Sequence, residues 1–184
     1  MLPRKSRPAV LFLAAVLVGG GLTGCSSGSL LQSCEGSEAR VEELGSLGIL
    51  DSRPAGAAVP RDYPEVNSGC TEDSGDVWLH ADRIYAFPGT RAQVLQHYRT
   101  AAERDGWKLV TEDPAVPAAP GVPAGLCFTR GTAEDGDMKA LNVFFLTPEY
   151  VEFEDQPPGP EFDSGSGYGL SATAAVDGTG WDSC

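Results

Sequence analysis

Positive charge is scarce in this chain. Its 184 residues carry 13 Lys and Arg against 26 Asp and Glu, a formal net charge of −13. Nothing here would neutralise a row of phosphates, which excludes nucleic acid as a partner. Histidine is scarcer still, at two residues, His80 and His97. The sequence has no G-x-S-x-G elbow between a strand and a helix, no G-x-G-x-x-G behind a strand and no P-loop. No two cysteines form a C-x-x-C pair, which removes the usual zinc spacing. What is present is a hydrophobic fraction of 41 %, too high for a wholly disordered chain. The length suits one domain, or one domain with appendages.

Long apolar runs are also missing, apart from Ala9 to Leu22. That run of 14 residues spans ~21 Å as a helix, short of the ~30 Å thickness of a bilayer core. With Arg4, Lys5 and Arg7 before it, the run reads as the h-region of an export signal over residues 1–24. No Arg-Arg pair is present, so the general export route is expected over the twin-arginine one. Leu22-Thr23-Gly24-Cys25 then resembles the lipobox of bacterial lipoproteins. The resemblance implies cleavage before Cys25 and a diacylglyceryl group on its thiol. Two acyl chains hold a protein to a membrane without help from a basic patch. The expected address is therefore the extracytoplasmic face of the cell membrane, with a short tether over 25–33 and one domain over 34–184.

Four cysteines remain: Cys34, Cys70, Cys127 and Cys184. An even count in an exported chain reads as two disulfides. Of the three possible pairings, Cys34–Cys70 with Cys127–Cys184 is expected. The first would tie an N-terminal helix to a long connection poor in apolar anchors. The second would fasten the tail to the sheet.

Ser37 is placed to cap a helix over 37–46, whose Val41, Leu44 and Leu47 form one apolar stripe. Residues 51–76, with Pro54, Pro60 and Pro64, read as a long connection. Period-two alternation predicts a strand over 77–87, with Val77, Leu79, Ala81, Tyr85 and Phe87 on one face and Trp78, His80, Asp82 and Ile84 on the other. Thr90 and Gln93 form a capping box ahead of a helix over 91–105, and Gly106 ends it. Its apolar face holds Val94, Leu95, Tyr98, Ala101 and Ala102. Strands are expected at 107–112, 126–130, 138–146 and 168–176, with a short one at 151–153. Between them, Pro114, Pro117, Pro120 and Pro123 recur every third residue, the pitch of a polyproline connector.

The implied fold is α+β: a mainly antiparallel four- to five-stranded sheet, covered by one long amphipathic helix and a shorter N-terminal helix, and stapled by disulfides. Tyr98-Arg99, Gly106-Trp107, Leu126-Cys127-Phe128 and the Asp177-Gly178 run ending in Cys184 look like small secreted lipoproteins of high-GC actinobacteria. That resemblance implies a location and a fold, and brings no activity or site residues.

Chemistry-bearing residues are few. His80 and Asp82 share a strand face, where a metal is conceivable, though a solvated face explains them equally. His97 borders the apolar face of the long helix. Glu134, Asp135 and Asp137 cluster at a turn but lack calcium-loop spacing. No catalytic residue, metal or cofactor is assigned. The expected function is a non-catalytic binding or accessory module for an envelope protein, peptide or small ligand. A structural or assembly lipoprotein without a small ligand is the alternative, and a hydrolase with paired carboxylates a remote one.

Overall fold

Residues 32–112, 125–146, 162 and 165–178 are described by the structure, a computed structural model. All belong to the unit Leu31–Cys184. The export signal, Cys25, the proline run, the strand expected at 151–153 and Cys184 lie outside the described residues.

The elements are α1 Glu38–Gly45, α2 Gly48–Asp51, β1 Asn67–Asp73, β2 Asp76–Phe87, α3 Arg91–Arg104, β3 Lys108–Glu112, β4 Leu126–Arg130, β5 Lys139–Phe145 and β6 Ser166–Ala175. The strands form one sheet in the order β1-β2-β6-β5-β4-β3, every neighbouring pair antiparallel. This is the expected α+β architecture, with a correction: the sheet has six strands, not four or five.

The additional strand is β1, which falls inside the stretch read as a connection. Asn67–Asp73 has no alternating apolar face that would mark it as a strand. Its register on β2 is set by the two-residue turn Ser74-Gly75, where both φ angles are positive, at 51° and 96°. That mirror-image turn matches the twist of a hairpin and favours glycine. The Ser-Gly pair was the available signal.

The core lies on one face of the sheet. Leu79, Ala81, Tyr85, Leu126, Phe128, Leu141, Val143, Leu170 and Ala172 pack there against Leu44, Ile49, Leu50, Val94, Leu95 and Tyr98 from the helices. Cys70 pairs with Leu79 in register, faces the same side, and is bonded to Cys34. The expected Cys34–Cys70 disulfide is present. Cys127, between Leu126 and Phe128, points to the opposite face and is itself disulfide-bonded.

Ser37 precedes α1 as expected but does not cap it. Its backbone is already helical, at φ −90° and ψ −2°, and its hydroxyl donates back to the Cys34 carbonyl at 2.7 Å. Capping requires an extended backbone at that position. α1 is held instead by partners on the sheet. Arg40 donates to the Val176 carbonyl, and buried Lys139 pairs with Glu43 at 3.1 Å and with Asp137.

Candidate functional site

The best-signalled helix, α3, forms one wall of a surface groove. At the start of α3, Thr90 Oγ1 accepts from the Gln93 amide while the Gln93 side chain accepts from the Thr90 amide. At its end, Gly106 at φ +80° allows Trp107 N–H to reach the Ala102 carbonyl at 2.9 Å. The axis and rotation of α3 are therefore set locally, and its apolar face is buried as expected. Arg91, at its first turn, is half-buried, with its guanidinium 5.2 Å from the centre of the Phe145 ring.

The opposing wall is Pro54 and Ala55, in the loop after α2. The groove has a volume of about 610 Å³ and opens to solvent. Ala92 and Ala101 make its apolar floor, and Gln93, Gln96, His97, Thr100 and Arg104 supply polar groups. Ser52 locks the two walls together. Its hydroxyl is hydrogen-bonded to His97 Nε2 at 3.0 Å, and its carbonyl accepts from the Tyr98 hydroxyl at 2.5 Å. Tyr85 similarly donates to the Leu50 carbonyl at 2.6 Å. Behind them, Tyr85 stacks on Tyr168, and Tyr98 meets Tyr168 edge-on with hydroxyls 3.4 Å apart. Burial pushes the Tyr98 and Tyr168 hydroxyls far above their ordinary values, so both stay neutral donors.

The Ser52–His97 contact joins the loop after α2 to α3. Burial first, and then the Arg104 guanidinium, lower the His97 pKa from its ordinary value. Both influences favour the neutral imidazole. The pair clasps the two walls, with His97 among the residues lining the groove. Ser52 was not singled out from the sequence: no local pattern links a loop serine to a histidine on a later helix.

The other sequence candidates do not converge. His80 and Asp82 share the sheet face away from the helices, but they turn to opposite neighbours. His80 Nδ1 lies 3.3 Å from Thr71 Oγ1 on β1. Asp82 accepts from Ser171 on β6. Burial raises the Asp82 pKa, while Ser171 and His80 partly offset it. At the β4–β5 loop, Asp135 accepts from Thr132 at 2.6 Å and Asp137 pairs with Lys139. Both carboxylates thus have partners within the chain. Among the described residues, no group of three or more potential ligands is placed to hold a metal. No helix among them is long and apolar enough to cross a membrane. In comparisons with known proteins, the chain matches no family model, no curated protein and no solved structure.

Proposed function

We propose that this chain is a lipid-anchored extracytoplasmic lipoprotein of the actinobacterial type. In this reading a diacylglyceryl group on Cys25 holds it at the outer face of the cell membrane, where it serves as a non-catalytic binding or accessory module. The observation that carries the reading is the Cys34–Cys70 disulfide. Disulfides persist in oxidising compartments outside the cytoplasm. This one begins a few residues beyond Cys25, at the end of a polar tether too short to carry the domain far from a bilayer. The groove between α3 and Pro54 supplies a place for a ligand. Its walls are clasped by Ser52, so little ordering entropy opposes binding. The apolar floor and the polar rim, which includes the Arg104 guanidinium, suit a peptide side chain or a small amphipathic molecule.

The anchor is tested by Cys25→Ser. The variant is expected to be exported but to partition into the aqueous phase in detergent phase separation, whereas the wild type enters the detergent phase. Equal partitioning of the two would overturn the lipoprotein reading.

A further inference from the structure

The two edges of the sheet differ in composition, although β3 also has a register irregularity at Val110, between Leu109 and Thr111. β1 carries Asn67, Ser68, Glu72 and Asp73, the polar dress of a guarded edge. β3, at the other end, carries Leu109 at 47 % and Val110 at 50 % exposure, the exposed large hydrophobics of the described residues. Among the described residues no strand pairs with its outer side. Between β3 and α3 lies a second cavity of about 420 Å³, lined by Arg99, Glu103, Trp107, Lys108, Leu109 and Phe128. Trp107 is 3 % exposed, yet its Nε1–H has no hydrogen-bond partner. A buried donor left unsatisfied costs about 1–3 kcal/mol, which calls for an explanation. Arg130 stacks over the same indole at 4.8 Å.

We propose that an extended acidic peptide adds to the outer edge of β3 and places a carboxylate side chain in this cavity. An edge strand beside a side-chain pocket is the arrangement used for strand addition: main-chain hydrogen bonds supply affinity and the pocket supplies selectivity. The carboxylate follows from the lining. Arg99, Lys108 and the Trp107 N–H are donors, with Arg130 alongside, and Glu103 is the one anion among them. A lipid surface offers no strand backbone to pair with the edge. The site is separate from the α3–Pro54 groove and does not depend on the anchor, since a chain without lipid presents the same edge.

The full chain in detergent micelles is titrated into the fluorescein-labelled peptide Thr-Val-Glu-Val-Glu-Val and, separately, its counterpart Thr-Val-Lys-Val-Lys-Val, with anisotropy as the readout. Saturable binding of the acidic peptide is expected, about tenfold or more tighter than the lysine peptide. Trp107→Phe and Lys108→Glu should each weaken it about tenfold, the equivalent of one hydrogen bond or ion pair to a charged group. In the wild type, the Trp107 indole N–H resonance should move downfield on titration, a readout that requires no variant to fold. Absence of saturable binding, equal affinity for both peptides, or an unmoved indole resonance at saturation overturns the proposal. So does self-association, or adsorption to phosphatidylglycerol vesicles, that Val110→Glu abolishes, since the occupant would then be a second copy or a membrane.

Discussion

Asp82 is a residue whose environment opposes its charge. It sits on a central strand, half-buried, and the largest influence on its carboxyl is desolvation, which raises the pKa. A group with a raised folded-state pKa contributes stability that is fully present below the unfolded value and is lost as pH rises through the folded one. At neutral pH the Asp82 carboxylate therefore destabilises the fold. Asp82→Asn, which keeps a partner for Ser171, should raise the melting temperature at pH 7 and bring no gain below about pH 3, where both side chains are neutral. A lower melting temperature at pH 7 would show that the bond from Ser171 and the charge of His80 outweigh burial. The sequence placed Asp82 on the correct face beside His80. It did not show that the two residues turn to different strands, because each partner comes from a distant part of the chain.

At the scale of elements, α3 and α1 illustrate two ways to stabilise a helix. α3 has a capping box, a left-handed glycine stop and a continuous apolar face, all legible in the sequence. α1 lacks a side-chain cap and is held by the disulfide, Arg40 and the Lys139–Glu43 pair, all of which depend on the sheet. For α3, burial decides the outcome of substitution. Leu95 is buried, and Leu95→Ala should cost about 2–5 kcal/mol. Glu103 is exposed, and Glu103→Ala should change stability by no more than about 0.5 kcal/mol. Urea denaturation midpoints distinguish the two, and comparable losses would mean that the helix faces the sheet differently. The four-residue α2 was not expected, since a single turn leaves no periodic trace. Its place is nonetheless firm, with Ile49 and Leu50 in the core and Tyr85 bonded to the Leu50 carbonyl.

For the whole molecule, the Cys34–Cys70 bridge joins the start of the described domain to an edge strand over a sequence separation of 36. Loop-closure entropy assigns a bridge of that span about 4 kcal/mol, a large share of the ~5–15 kcal/mol typical of a domain. The double variant Cys34→Ala/Cys70→Ala should lose up to that amount in chemical denaturation, with hydrogen exchange rising first in α1. Unchanged stability would mean that Cys34 N–H to Glu72, at 2.7 Å, and the α1 packing are sufficient on their own. The class of the fold, the bounds of β2, α3 and β4 to within a residue, and the buried faces of β2 and α3 follow from the sequence alone. Those features rest on local periodicity and turn chemistry, which neighbouring residues specify. Long-range packing puts β6 in the middle of the sheet, between β2 and β5, and adds β1 at the edge. It also decided that Ser52 meets His97 and that the Trp107 indole is left without a partner. Strand order and side-chain partnership depend on shape complementarity between segments far apart in the chain, such as Ala172 and Ala174 fitting opposite Ala81 and Leu79, and no local pattern encodes it.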